Sequence, residues 1–443
     1  MHVLILTHYW PPEIGASSHL TFELGETLVE LGNTVTVVTG MPSYNMAEVP
    51  DRYRGRLTYE EEMNGMRVLR VATGVSHSRS KVRRGLEHLS ITPLYTWRAL
   101  GVRNVNVVYT VSPPLTMGIA AWAAARWHGT KCCLGVQDLF PQSPIDLGLM
   151  RSPFVIGCFK ALERMAYSAA GAITVHSDGN RDHILARGVP SGRVHSIPNW
   201  VDTEAIRPGD RMNAFRKELG LGESGFVVSF AGTMGWSQGL DTVVEAARLL
   251  AGEPNLTFLL VGDGTERERL RQMAGHLANV RFVPMQPKEK YAEVLAASDA
   301  CLVALRPEDL TPVVPSKLLT IMAAGRPVLA SLPLMGDAPK IVNDSRAGIV
   351  APAGDPAALA DAVRALRQNP ARSAHFGQNG REYAVRHFSR PACIRQFEQV
   401  LRRISHARGV SIDDANPQTS SSTTAMPPPR SPNSYELPTT LQK

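Results

Sequence analysis

The residues best suited to chemistry are Ser316 and Lys317, in the run VPSKLLTIMAAGRPVLAS at 314–331. Pro315 and Ser316 are helix-start signals, and a Ser at or near the N-cap can accept a bond from a free helix N–H. Leu318, Leu319, Met322 and Ala323 repeat at helical spacing, Gly325 supplies the stop, and 327–331 reads as a buried parallel strand. The N-terminus of such a helix offers unpaired N–H groups and a partial positive charge, which suits an anion such as a diphosphate. Lys317 places a cation at the end the helix dipole disfavours, so an anionic ligand is expected there. The plain alternative is an ordinary helix–strand unit without a ligand.

Three other stretches have comparable potential. GTMGWSQG at 232–239 follows a predicted strand, and its three glycines free backbone N–H groups to turn toward phosphate, with Thr233, Gly235 and Gln238 nearest. HYWPPEIGASS at 8–18 leads into a helix; Gly15 lets a phosphate or another backbone approach, and Ser17 and Ser18 open the helix. A plain strand-to-helix turn is the alternative for each stretch, and the three glycines in eight residues at 232–239 weigh against it there. Gln137 and Asp138 end a predicted strand at 131–136, where parallel α/β sheets place their ligands. Asp138 is the candidate polar contact to a reacting group; capping of the next turn is the alternative.

These residues need rigid elements behind them. Residues 2–7, 19–31 and 34–39 read as strand, helix and strand, a parallel start without the G-x-G-x-x-G spacing of a dinucleotide site. The alternation continues to a break at Pro198-Asn199-Trp200-Val201-Asp202, passes a polar connector at 207–225 and resumes at 226–231. Two open parallel sheets are expected, their strand ends facing a shared cleft. Helices are expected at 356–367, 371–387 and 390–406, and the Ser-, Thr- and Pro-rich segment 409–443 reads as disordered. The implied division is an α/β domain over 1–202, a second over 203–389, a terminal helix over 390–408 and a tail.

A chain of 443 residues fits two large domains. Its five cysteines lack metal-ligand spacing and read as reduced thiols of a cytoplasmic protein. The apolar run 3–6 is too short for a signal peptide, and 115–127 is too short to cross a bilayer. A net charge of +7 suits nucleic acid, an anionic membrane or phosphorylated substrates, but no zinc knuckle, helix-turn-helix or RNP-like strand supports nucleic acid. The basic patch SHSRSKVRR at 76–84 precedes an apolar stretch with Tyr95 and Trp97, a composition that suits an anionic membrane surface. Pro93 argues against a clean helix there, and a solvated loop before a core helix is the alternative.

The run MAAGRPVLAS, the hinge-like PNWVD at 198–202 and GREYAVRHFS at 380–389 resemble the retaining glycosyltransferases of sequence family 4, which have the GT-B fold. The PSK variant most resembles bacterial transferases of the N-acetylfucosaminyltransferase and colanic-acid type. This resemblance implies a nucleotide-sugar donor, UDP-linked in the first instance, a lipid-linked or glycan acceptor, peripheral contact with the cytoplasmic membrane face, and a role in surface polysaccharide synthesis. It implies that Gly15, Thr233, Gly235, Gln238, Ser316 and Lys317 face the donor diphosphate, that the loop carrying Met285 and Gln286 lies near the base, and that the terminal helix crosses back to the first domain. A His-Asp pair near the sugar becomes Gln137-Asp138, and the hinge glycine becomes Trp200. The family's two motif glutamates fall on Pro312 and Thr320, and its Arg and Lys of the glycine-rich loop fall on Thr233 and Gln238. Thr320 could offer the ribose only one hydroxyl, and the nearby Glu308 and Asp309 follow no spacing rule. No Asp-x-Asp is present, so neither metal nor other cofactor is expected. Three readings stay open: a glycosyltransferase, an epimerase on the same donors, and an inactive binding subunit.

Overall fold

The computed structural model describes residues 1–13, 15–42, 49–72, 81–146, 148–308 and 314–405, with the backbone alone at 16 and 81–90. The tail at 409–443, Asp309 and Pro312 lie outside this set, as does the basic patch except for the backbone of its last residues. Within it, two sheets form in succession. The first holds β1 (His2–Leu6), β2 (Thr34–Gly40), β3 (Thr58–Met63), β4 (Met66–Val71), β5 (Val107–Ser112), β6 (Cys132–Val136), β7 (Ala172–Val175) and β8 (Val194–Ser196), in the order β3-β4-β2-β1-β5-β6-β7-β8. All pairs are parallel except β3 with β4.

Alternate residues of β1 serve opposite faces, as the strand period requires. Leu4 and Leu6 pack with Tyr95 of α2 (Lys81–Leu100), Met117 of α3 (Thr116–Trp127) and Tyr167, which follows the short α4 (Gln142–Asp146), in α5 (Pro153–Ala169). Val3 and Ile5 pack with Leu24 and Leu28 of α1 (Ala16–Glu30). The first half closes with α6 (Asp178–Leu185) between β7 and β8.

The second sheet holds β9 (Phe226–Ala231), β10 (Leu256–Val261), β11 (Val280–Val283), β12 (Ala300–Ala304), β13 (Val328–Leu332) and β14 (Gly348–Pro352), all parallel, in the order β11-β10-β9-β12-β13-β14. Its helices are α7 (Ala214–Glu218), α8 (Leu240–Leu249), α9 (Arg267–Ala274), α10 (Tyr291–Ala296), α11 (Ser316–Ala323), α12 (Asp337–Ser345), α13 (Pro356–Gln368) and α14 (Pro370–His387). Val243 of α8 and Leu359 of α13 pack on Phe230 and Leu260. Leu318 and Met322 of α11 pack on Val303 and Ala330 from the other side.

The chain crosses between the halves twice, side by side. The Val201 N–H donates to the Phe388 carbonyl at 2.9 Å and the Arg390 N–H to the Val201 carbonyl at 3.2 Å. The last helix, α15 (Arg390–Ser405), then lies on the first half, with Ile394, Phe397 and Leu401 in the cluster of Val3 and Ile5. Arg390 also donates to Thr27 Oγ1 at 2.6 Å, holding α15 to α1.

Several expectations need correction. Helix α2 continues through Pro93, losing one ladder bond but keeping its buried face of Ile91, Tyr95 and Ala99. Ser316 does not cap α11: Pro315 is the N-cap, and Ser316 is the first helical residue. Helix α1 begins at Ala16, so Ser17 and Ser18 lie inside its first turn. Strand β3, TYEEEM, and the α12–β14 unit were not apparent from sequence.

Candidate functional site

Both sheets aim their C-terminal strand ends at one cleft of about 740 Å³. In each sheet the strand order reverses direction, between β1 and β5 and between β9 and β12, and parallel α/β sheets bind ligands at such points. From the first half the cleft is lined by residues after β1 (Ser17, His19, Leu20, Glu23), β6 (Gln137, Asp138), β7 (His176) and β8 (Asn199, Trp200). From the second it is lined by Lys288, Glu289, Tyr291, Pro315, Ser316 and Thr320.

The Lys317 side chain runs back from the first turn of α11 toward the loop after β9. Its Nζ donates to Gln238 Oε1 at 2.8 Å and lies 5.0 Å from the centre of the Phe230 ring. Gly232 has a φ of +140°, which favours glycine, and a Cβ there would stand 2.6 Å from Lys317 Cε and push the lysine from its present path. Burial, with no carboxylate to offset it, pushes the Lys317 ammonium down to about 8. Among the described residues its charge has no carboxylate counterion, an arrangement that favours an incoming anion. Gln238, at the position where the resembled family carries a lysine, is the partner that orients this cation.

A second glycine pair locks the same loop. Gly262 and Gly264 have φ of +149° and +150°, and Cβ atoms on them would stand 1.9 Å from the Gly232 carbonyl oxygen and 2.4 Å from that of Met234. The Met234 N–H donates to the Asp263 carbonyl at 2.8 Å, so the two loops are zipped backbone to backbone. The Arg306 guanidinium lies 4.6 Å from the Trp236 ring centre and donates to the Trp236 carbonyl at 2.7 Å, holding the outer end of the loop.

Gln137 does not present a free amide. It exchanges two hydrogen bonds with Asn199, at 3.0 and 3.2 Å. His176, buried at the end of β7, donates from Nε2 to the Gln137 carbonyl at 2.9 Å. Burial pushes His176 down, against the Gln137 carbonyl and Asp138. Asp138 keeps a solvent-exposed edge yet sits within the concave cleft, and this partial desolvation raises its carboxyl while His176 opposes the shift. Of the polar pair foreseen at the end of β6, Gln137 is therefore bonded to Asn199 and His176, while the Asp138 carboxylate lines the cleft within electrostatic reach of His176.

The remaining candidates divide. Ser316 and Thr320 line the cleft, but Thr320 Oγ1 already donates to the Lys317 carbonyl at 2.9 Å and lies 3.4 Å from the Tyr291 hydroxyl. Thr233 and Met285 are exposed, and Gln286 Nε2 folds back on the Pro284 carbonyl at 3.0 Å. Gly15 is the N-cap of α1 with an extended φ of 177°, a conformation open to any residue, and is not among the cleft-lining residues. Glu308 is exposed. Sequence reasoning passed over His19, Glu23, His176 and Lys288. His19 and Glu23 carried a signal, four residues apart on one helix face. Among the described residues no group of three or more His, Cys, Asp or Glu side chains is placed to hold a metal.

With this geometry in view, the comparisons with known proteins are consistent across the chain. Residues 15–200 match the glycosyl transferase 4-like domain, and residues 225–369 match the model of glycosyl transferases group 1. WcaI of Escherichia coli K12, which bears the name of a colanic acid biosynthesis glycosyl transferase, is 26% identical over 91% of this chain and 100% of its own. Sucrose-phosphate synthase from Thermosynechococcus elongatus superposes with a TM-score of 0.72 at 20% identity, covering 91% of this chain and 99% of that one. Anabaena HepE in complex with UDP-glucose superposes with a TM-score of 0.65 at 16% identity, covering 91% of this chain and 100% of that one.

Proposed function

The chain belongs to the group 1, family 4-like glycosyltransferases and has their GT-B fold, and on that premise we propose that it moves a sugar from a UDP donor to a lipid-linked glycan acceptor, with retention of configuration, in bacterial surface polysaccharide synthesis. The observation that carries the donor assignment is Lys317, a half-buried cation at the N-terminus of α11 with no carboxylate partner among the described residues. A diphosphate there meets the ammonium, the free N–H groups of α11 and the glycine loop after β9. Stabilising the departing UDP is the main electrostatic task of the transfer, and cation and dipoles supply it without a metal. HepE, bound to UDP-glucose, supports a nucleotide sugar as donor. WcaI supports a polysaccharide acceptor, and the assembly of such polymers on lipid carriers would bring the first half to a membrane face.

Asp138 is the side chain we place against the transferred sugar, beside the bonded group of His176, Gln137 and Asn199. Lys317, Ser316 and the 232–239 loop are placed on the diphosphate, and Met285, Gln286 and Thr320 toward the nucleoside. Radiolabelled UDP-sugars incubated with the protein and a bacterial lipid extract test the reading. Label should pass into the lipid fraction. Conversion to an isomeric UDP-sugar, or no change while UDP still binds, would replace transfer with epimerisation or binding alone.

A further inference from the structure

A polar row of side chains crosses the cleft. Lys288 Nζ, from the second half, donates to His19 Nε2 at 3.0 Å. Glu23 follows His19 by one helical turn on α1, so both face the same way. Trp200 Nε1–H then donates to Glu23 Oε2 at 2.8 Å. Trp200 is only 8% exposed, its ring lying edge-on to Phe397 of α15. The indole is thereby fixed by packing, and it fixes one carboxylate oxygen of Glu23. Glu23 lines the 740 Å³ cleft, and among the described residues no donor is bonded to its second oxygen.

We propose that Glu23, positioned by Trp200, recognises a hydroxyl group of the acceptor glycan. The inference rests on the transferase reading above and names a part of its acceptor site. A carboxylate oxygen with its partner oxygen already bonded is a directed acceptor for an O–H, and such a charge-assisted bond is stronger than a neutral one. Asp202 and Glu289 line the cleft as well, beside Lys288, a mixed polar lining that suits hydroxyls. The diphosphate of the donor belongs with Lys317, at the first turn of α11. Trp200 stands where the resembled family has glycine in the hinge motif. A glycine would leave Glu23 without its donor and the cleft wider by an indole, so the substitution both orients the carboxylate and narrows the acceptor end.

The test compares wild type with Glu23→Gln and Trp200→Phe. The first keeps the shape and removes the charge; the second keeps a packed ring and removes only the N–H donor and one ring. Radiolabelled UDP-sugar is the donor, a titrated bacterial lipid extract is the acceptor source, and UDP affinity is measured by calorimetry. Both variants should bind UDP as wild type does. The amount of extract giving half-maximal transfer should rise about ten- to hundredfold in Glu23→Gln and less in Trp200→Phe. A purely structural role would lower the melting temperature and UDP binding together. Wild-type transfer with unchanged half-saturation in both variants would overturn this inference alone. Absence of transfer by the wild type would overturn the transferase reading and this inference with it.

Discussion

The Asp337 carboxylate bridges the cleft to the Gly179 backbone, accepting its N–H at 3.1 and 3.3 Å from the two oxygens. Asp337 opens α12 in the second half, and Gly179 lies in the first turn of α6 in the first. One carboxylate thus faces the free N–H ends of two helices, where negative charge is favoured. Asp337→Ala should lower the unfolding free energy by about 1 kcal/mol, the usual cost of a lost cap. Asp337→Asn, which keeps one acceptor oxygen, should cost less. Urea denaturation measures both. Small-angle scattering should show a larger radius of gyration for the alanine variant if this contact holds the cleft closed.

Lys317 gives a pH-dependent prediction. Its ammonium falls from 10.5 to about 8 in the native state. Between those values the unfolded chain binds more protons than the folded one, so this group makes stability rise as pH climbs from about 8 toward 10.5. Lys317→Met should remove that rise. UDP binding should respond in the opposite sense, weakening as pH passes about 8 because the neutral amine no longer attracts the diphosphate. At neutral pH, Lys317→Ala should cost about 1.5–3 kcal/mol of UDP affinity. Calorimetry with UDP at pH 7 and pH 9.5 reads both effects, and equal affinities for wild type and variant at pH 7 would remove Lys317 from the donor site.

Gly262 tests the loop that receives Lys317. A Cβ there would overlap the Gly232 carbonyl oxygen at 1.9 Å, and its φ of +149° is strained for any other residue. Gly262→Ala should therefore destabilise the protein by more than about 3 kcal/mol, since backbone strain and a backbone clash add. Gly235→Ala, with open space around its Cβ and an ordinary φ of −95°, is the control and should cost under about 1 kcal/mol. Thermal melts of the two variants check this contrast.

The parallel strands were legible because both of their faces are covered: FVVSFA and LTFLLV read as continuous apolar runs. Strand β3 was not, because TYEEEM is an edge strand with three consecutive glutamates, whose inward residues Tyr59, Glu61 and Met63 are only half-buried. Pro93 misled because a proline penalty is local, whereas Tyr95 and Ile91 are held by the whole core. In the site, Lys317 was legible from its place in a helix–strand unit. Its partner Gln238, 79 residues earlier, is brought there by the topology of the second sheet. Glu23 and Trp200 are 177 residues apart, and a lone Glu on a helix reads as a solvated side chain until the hinge tryptophan is seen against it.

The last prediction concerns the outer face of the first half. No helix among the described residues is long and apolar enough to cross a membrane. Yet Trp97 on α2 and Trp122 and Trp127 on α3 are 59%, 47% and 68% exposed, on helices that pack against each other. Tryptophan prefers the boundary between water and lipid, where its ring is buried and its N–H stays wet. Helix α2 spans 20 residues, about 30 Å, with Lys81, Arg83 and Arg84 in its first turn and Trp97 near its end, and Arg79 precedes it by two positions in the sequence. Both ends can touch a bilayer together only if α2 lies along the surface. Each cation near an anionic leaflet contributes roughly 1 kcal/mol, enough in sum for reversible attachment. Co-sedimentation with phosphatidylglycerol vesicles should therefore fall with added salt. It should fall further when the four basic residues become Glu, and separately when Trp97 and Trp127 become Ala. Retention of the basic variant on vesicles would remove the electrostatic part, and retention of the Trp variant would show that α2 does not lie flat on the lipid.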